Sequence, residues 1–462
     1  MNGYTWPDAN GRLAPDTLNT NRALNTNPTP NATTPGTTMA SETQTSSANS
    51  SSSSAADVAT RPGVPASSRR GVRSAAAIAG LVALAHFTND AYSAFLLPLL
   101  PRVMDRLGLS IALAATLAMT LSISASLIQP AMGYVADRFG RRPLVILGPL
   151  LSAVFMSSIG VAPTFAVLMG LLVLGGIGSA MFHPPAASMA ARVSEGGRSG
   201  MRYSIFSFGG ASGYAVGPMA AVAVVGLVGM QHMWLAMIPG LLVVVALVAL
   251  LPPGVRASGA APPPAPGVVL RALRGPLGLI FGISALQALV QRAYLTMEPI
   301  IMAQAGATEV VIAHALSAYL AGQAVGTLSG GFLADRFDRR RMLVALTLLM
   351  FPTHVAALTL PAGSVLDLVA AFVAGTVGMA MLPGIVVLAQ EILPAGAAIG
   401  SGIVMGMAWA AGSIGVLGTG VLGDYVGPAW AALATMPFIL IGTVLALGRG
   451  LRSHARPAGA RA

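Results

Sequence analysis

From residue 75 onward the chain alternates long apolar runs with short polar gaps. The runs cover 75–98, 110–133, 143–161, 164–188, 202–228, 233–251, 276–299, 309–333, 342–360, 365–389, 399–423 and 429–448. Most are close to the ~20 residues that an α-helix needs to cross a hydrocarbon core of ~30 Å. Within each run the apolar positions are continuous and do not alternate with polar ones, which argues against a membrane β-barrel. The pattern predicts twelve transmembrane helices and an all-α integral membrane protein. Residues 1–72 differ in kind, being rich in Asn, Thr, Ser and Pro and including "SSANSSSSSAAD". Such a segment buries too little apolar surface to offset its ordering entropy. It also lacks the apolar core of a secretory signal. It is expected to be a disordered tail on the cytoplasmic side, and Met39 is a second candidate start.

Composition agrees with the pattern. The chain is 55% hydrophobic and 9% charged, where a soluble domain carries roughly 25% charged residues. The mean hydropathy is +0.74. All 26 basic residues are arginine. Without lysine there is no Walker A phosphate loop and no Schiff base to pyridoxal. Without cysteine there is no disulfide, thiolate metal site or thiol nucleophile. The six histidines show no ligand spacing, so neither a metal nor a cofactor is expected. The net charge of +11 does not point to nucleic acid, because the arginines sit in the gaps between apolar runs and form no soluble basic face.

Their placement sets an orientation. Six arginines precede the first run, and three each fall in the gaps after runs 2, 4 and 6. Four follow run 8 and four follow run 12, while only Arg102 and Arg106 lie on the other side. By the positive-inside rule both termini are cytoplasmic. The partners expected are therefore the lipid bilayer and whatever crosses it. A Pro- and Gly-rich connection at 252–274 divides the membrane region. The domains expected are the tail 1–72, a six-helix bundle 73–251, the linker 252–274, a second bundle 275–448 and a tail 449–462.

Each bundle carries the same charged phrase after its second helix: "GYVADRFGRRP" from Gly133 and "GFLADRFDRRR" from Gly331. Seven of the first ten positions are identical. Repeated six-helix halves of this kind occur in transporters. The phrase resembles the loop motif of the major facilitator superfamily. The matching residues are Gly133, Asp137, Arg138, Gly140, Arg141 and Arg142, then Gly331, Asp335, Arg336, Arg339 and Arg340, with Asp338 where the first copy has Gly140. The glycines are read as points of close helix approach. The aspartates are read as partners of an arginine or of a helix N-terminus. The resemblance implies a latch that holds the two halves together in the outward-facing state; the plainer reading is a basic loop that sets topology.

Four further strings narrow the resemblance: "AHFTNDAYSAFLLPLLP", "GIGSAMFHPPA", "SIFSFGGASGYAVGPMAA" and "LAQEILPAG". They are similar to the fosmidomycin-resistance branch of that superfamily. The resemblance implies a multi-pass inner-membrane exporter of small drug-like or anionic compounds, coupled to protons and working as a monomer. Three positions depart from the pattern: Pro185 after His183 and Pro184, Ala211 after Gly209 and Gly210, and Leu172 in place of an arginine.

Asp90 is read as the one acid deep within a predicted helix, where an ion is costly and usually functional. His86 lies four residues earlier on the same face. The pair is a candidate proton carrier; its structural alternative is a hydrogen bond that fixes helix packing. Asn89, His183, Arg292 and Gln129 are candidate cavity residues. For His183 the alternative is a bond to a carbonyl freed by the two prolines. Arg292 is ~24 Å along its helix; it either binds an anion or snorkels to the interface. Glu298 is placed at that interface, and Glu391 is a gating or structural candidate. Gly209, Gly213 and Gly217 form an every-fourth-residue stripe for tight helix contact, with Pro218 as a candidate hinge. A metabolite importer on the same fold and a non-transporting membrane sensor are the rival functions.

Overall fold

The computed structural model describes residues 67–193, 199–252, 266–394 and 397–454. The expected tail up to residue 66 and most of the linker, 253–265, lie outside the described residues. Among the described residues there is no strand. The N-terminal half contains α1 (Ser67–Ser93), α2 (Leu96–Leu107), α3 (Ile111–Leu127), α4 (Gln129–Phe139), α5 (Arg141–Ser157), α6 (Phe165–Val193), α7 (Ser199–Val228) and α8 (Met237–Leu250). A short helix, α9 (Pro266–Leu273), lies within the stretch read as linker. The C-terminal half contains α10 (Pro276–Gln304), α11 (Glu309–Arg336), α12 (Arg339–Thr359), α13 (Val365–Ile392), α14 (Ala397–Gly402), α15 (Ala408–Val426), α16 (Pro428–Thr435) and α17 (Phe438–Leu447).

Eleven spans among the described residues are long and apolar enough to cross a membrane, from Ile111–Ala136 to Pro428–Leu447. The remaining predicted run, 75–98, falls on α1 and the start of α2. The break there has a local cause. Pro98 has no N–H to give to the carbonyl of Ala94. The chain tightens instead into three-residue bonds, Phe95 N–H to Tyr92 O at 3.0 Å and Leu97 N–H to Ala94 O at 3.3 Å. Pro130 does the same between α3 and α4, where the Gln129 amide donates to the Ala125 carbonyl at 2.8 Å. Helix starts are capped at Ser110, Thr308 and Ser364, each accepting from the backbone N–H three residues on.

Within the first half α1 packs on α7, and α5 on α6; within the second α11 packs on α13, and α10 on α15. Glycine allows the tightest of these contacts. A Cβ on Gly209, Gly213 or Gly217 would lie 2.5, 2.0 or 2.4 Å from the carbonyl oxygens of Ala83, Phe87 and Ala91. The second half repeats the device with Gly322, Gly326 and Gly330, which face the carbonyls of Phe372, Thr376 and Ala380. Pro218 is buried within α7, which continues through it.

The halves meet along α3 against α15 and α7 against α11. Ser122 and Ser413 share a hydrogen bond at 2.6 Å across this seam. At the end away from the arginine-rich loops, Asp424 accepts from the N–H groups of Ile111 at 2.7 Å and Ala112 at 3.2 Å. A carboxylate here satisfies the orphan donors that open α3. Nearby Arg102 pairs with Glu309 at 2.5 Å. The protein is thus fastened at the end opposite its arginine loops.

One expectation about those loops is corrected. A Cβ on Gly331 would meet nothing within 4 Å, and on Gly133 only Pro184 at an ordinary 3.7 Å. Neither glycine is a point of close approach, because no neighbouring helix comes near enough at either position to exclude a Cβ. The glycine with a conformational need is Gly140, at φ +101°. In the second copy Asp338 holds the same N-cap position at φ −59° and caps α12 by accepting from the N–H of Arg341 at 2.8 Å. The side chain of Asp137 lies outside the described residues. Arg142 donates to the carbonyls of Leu251 (2.8 Å) and Val248 (2.6 Å), and Arg340 to those of Ala446 (2.9 Å) and Leu447. These are matching positions of the repeat, and each closes the C-terminal end of the last helix of its own half. Arg138 lies over the Phe139 ring and Arg336 over the Phe332 ring, while Asp335 is exposed.

Candidate functional site

Four helices converge on Asp90. The His86 Nε2 is 3.2 Å from its Oδ2. His183 of α6, placed by sequence with the cavity residues, reaches Oδ1 with its own Nε2 at 3.1 Å. The Asn89 amide donates to Oδ1 at 3.0 Å. Both rings are held from behind. His86 Nδ1 bonds the carbonyl of Phe206 on α7 at 2.8 Å, and His183 Nδ1 bonds the carbonyl of Ser179 at 2.8 Å. His86 also stacks on the Phe206 ring, with centroids 4.2 Å apart. The Asn89 carbonyl accepts from Ser152 of α5 at 2.8 Å. Asn89 is fully buried, so it ties α1 to α5 and lines no cavity. Its short amide finds partners only between packed helices.

This arrangement fixes where hydrogens can be. A carbonyl oxygen only accepts, so each Nδ1 facing one carries the proton. A neutral ring then presents a bare Nε2 lone pair. Asp90, when ionised, also only accepts. With both rings neutral and Asp90 charged, two acceptor pairs would face each other at hydrogen-bond distance. One added proton resolves one pair, and two resolve both. The cluster therefore gains charge-assisted hydrogen bonds for each proton it holds, worth roughly 1.5–3 kcal/mol apiece. The three ligand-type atoms also lie within 4.8 Å of one another, a set that the scattered sequence positions did not reveal.

Gly210 makes room for this. A Cβ there would lie 2.3 Å from His86 Nε2. Sequence reading had assigned Gly210 no role, because the stripe logic picked out only Gly209, Gly213 and Gly217. Ser152 and Ser179 were missed as well; single serines in apolar helices carry no spacing signal.

Arg292 stands apart from Asp90. Its Nη1 donates to the Tyr214 hydroxyl on α7 at 3.1 Å, and its guanidinium carbon lies 5.2 Å from the centre of the Trp409 ring on α15. It is part-buried and contacts α7 and α15 near the junction of the halves. Gln129 is half-buried and spends its amide on its own helix. Glu391 pairs with Arg339 at 2.7 Å and joins the ends of α13 and α12.

Two placements change. Glu298 is only 3% exposed, so it faces protein and not the interfacial headgroups. Asp367 at the start of α13 is fully buried, so Asp90 is not the sole buried acid. Helix periodicity alone could not show these, since in an apolar helix every face looks able to meet lipid. Further into the C-terminal half, His354 Nδ1 bonds the Met350 carbonyl at 2.9 Å and its Nε2 meets the Tyr319 hydroxyl at 3.0 Å.

Two helical halves with spans long and apolar enough to cross a membrane join along a seam, with polar clusters buried between their helices. The family model of the Major Facilitator Superfamily matches residues 82–292 and 280–462. The chain belongs to that superfamily. It is 26% identical to the fosmidomycin resistance protein of Escherichia coli over 78% of this chain and 89% of that one. It is 29% identical to the multi-drug resistance efflux pump PmrA of Streptococcus pneumoniae, over 32% of this chain and 38% of that one. Its fold is similar to a bacterial homologue of the human lysosomal transporter Spinster, with a TM-score of 0.68 at 16% identity, covering 81% of this chain and 96% of that one.

Proposed function

We propose that the protein is an inner-membrane exporter that moves a small drug-like or anionic compound outward in exchange for protons, by alternating access. The observation that carries this is the His86–Asp90–His183 cluster, in which two carbonyl-anchored imidazoles face one carboxylate. Such a cluster has vacancies for up to two protons. Alternating access would change which side of the membrane fills and empties them. A transporter can only convert a gradient if the ion binds its two states unequally, and a cluster at the junction of α1, α6 and α7 is sensitive to how those helices pack.

With both termini cytoplasmic, the fastened end of the molecule is the outer one. Asp424, Arg102 and Glu309 then close the external side. The relatives named for drug resistance and efflux support the outward direction.

The test is transport in proteoliposomes under an imposed pH difference, with a panel of drug-like acids, bases and neutral compounds. Accumulation of at least one compound against its gradient, abolished when the pH difference is collapsed, is expected. Transport of every transported compound without regard to the pH difference would overturn proton coupling.

A further inference from the structure

Arg292 is a cation at mid-depth in a membrane protein, and the structure gives it no carboxylate among the described residues. Its hydrogen-bond partner is a neutral hydroxyl, Tyr214. Its neighbour within its own half is the face of an indole, Trp409. Two donors at this spot are buried with nothing to receive them: Arg292 Nε–H and Trp409 Nε1–H. Buried polar groups are nearly always bonded, and each exception calls for an explanation. A charged group at such depth without a partner is costlier still.

The missing partner has a defined chemistry. Both orphan atoms are donors only. The guanidinium is always charged and presents a planar fork suited to carboxylates and related oxyanions. The indole offers an apolar face beside it. Asp90 pairs with two histidines, Glu309 with Arg102 and Glu391 with Arg339, while the buried Glu298 and Asp367 each keep one oxygen without a partner and neither forms an ion pair with Arg292. The three elements involved are α10 with Arg292, α7 with Tyr214 and α15 with Trp409. They come from both halves and meet where the halves join.

We infer that Arg292 and Trp409 form the binding site for the anionic group of the transported compound, so that the substrates are organic anions with an apolar, preferably aromatic, body. This rests on the transporter reading but not on its proton coupling. The oxyanion would take the Nε–H of Arg292 and the Nε1–H of Trp409, while the body lies along the seam. Because Tyr214 belongs to the other half from Arg292, an arriving anion also competes with a contact between halves.

The experiment is calorimetric titration of the full chain, purified in detergent, with 2-naphthoate and with its neutral counterpart 2-naphthamide. The acid is expected to bind at least about 10-fold tighter than the amide, about 1.4 kcal/mol. Arg292→Gln should remove the preference. Arg292→Lys should keep part of it, since charge remains but the fork is lost. Trp409→Phe keeps an aromatic face, loses the donor and should weaken the acid severalfold with little effect on the amide. Thermal melting of each variant shows that it is folded. Equal binding of acid and amide, no binding of the acid at millimolar concentration, or an unchanged preference in folded Arg292→Gln would overturn the site. Asp90→Asn separates this from proton coupling: it should leave the naphthoate preference intact even where gradient-driven transport is lost.

Discussion

His183 in the N-terminal half and His354 in the C-terminal half are anchored alike and face opposite partners. Each gives its Nδ1 proton to a carbonyl four residues earlier in its helix, Ser179 and Met350. Each therefore presents Nε2 as an acceptor when neutral. His354 meets a hydroxyl, Tyr319, that can donate to it. The bond is complete with no added charge, and the ring is fully buried. His183 meets a carboxylate that cannot donate unless it is itself protonated. One histidine is satisfied in a single state, and the other needs a proton from outside. The same side chain with the same anchor is structural in one half and a candidate ion carrier in the other. The partner's hydrogen decides which.

The hardest test of that contrast is Asp90→Asn. The amide keeps the shape, and its Nδ2 can donate to the ring of His86, while His183 still faces an acceptor oxygen. The carboxylate charge is gone and the cluster's vacancies fall from two protons to one, which removes the proposed means of coupling. Uphill transport driven by a pH difference in proteoliposomes should be abolished, while downhill exchange of substrate partly survives. Continued accumulation against a gradient would move coupling away from this cluster and leave His86, Asp90 and His183 as a packing device.

Gly210→Ala attacks the same cluster by volume. The new Cβ would sit 2.3 Å from His86 Nε2, so the ring must swing away from Asp90 or α7 must retreat from α1. Overpacking of this kind costs typically 1–3 kcal/mol. Transport coupling should fall severalfold with a lowered melting temperature. The control is Gly226→Ala, where the added Cβ meets nothing within 4 Å, and whose melting temperature and transport should match the parent. A Gly210→Ala protein that couples normally would show that the His86–Asp90 contact is dispensable.

Much of this was legible in the sequence and some was not, for physical reasons. The all-α membrane fold follows from apolar run length, and the likeness to the superfamily from a charged phrase written twice. His86 and Asp90 could be paired because four residues on one helix share a face. His183 could be seen but not joined to them, because the contact between α1 and α6 is made at long range. The serines and Gly210 left no trace, since a serine or glycine in an apolar helix has no periodic signature. Glu298 was misjudged, and Asp367 passed over, for a related reason: sequence distinguishes apolar from polar residues, but not a helix face that meets lipid from one that meets another helix. The loop motif shows the reverse error. Its repeated glycines suggested close approach, and the structure finds a need for glycine only at Gly140.

That loop supplies a smaller effect. Arg142 and Arg340 bond within their own halves, at the ends of α8 and α17. In an arrangement fastened at the opposite end, a latch between halves at the loops would be released. Asp137→Asn and Arg141→Ala should then lower transport only partly while leaving the protein inserted, because they shift the balance between states and do not touch the proton cluster. Parent-level transport in both would reduce the loops to a topological role.

The smallest effect should come from Tyr319→Phe, and it bears on the opening contrast directly. The substitution removes the one hydroxyl that donates to His354. The ring is left with an unanswered Nε2 in a fully buried site, which costs about 1–3 kcal/mol for an unsatisfied group. The aromatic packing against Tyr294, with centroids 4.3 Å apart, is retained. Melting temperature should therefore drop by several degrees, since a kcal/mol shifts a large protein by only a few. Gradient-driven transport, measured on folded protein below the transition, should keep the parent's dependence on the pH difference. If instead Tyr319→Phe changes that dependence as Asp90→Asn does, His354 is exchanging protons too. The distinction between a donor-faced and an acceptor-faced histidine would then fail as a guide to which half carries the ion.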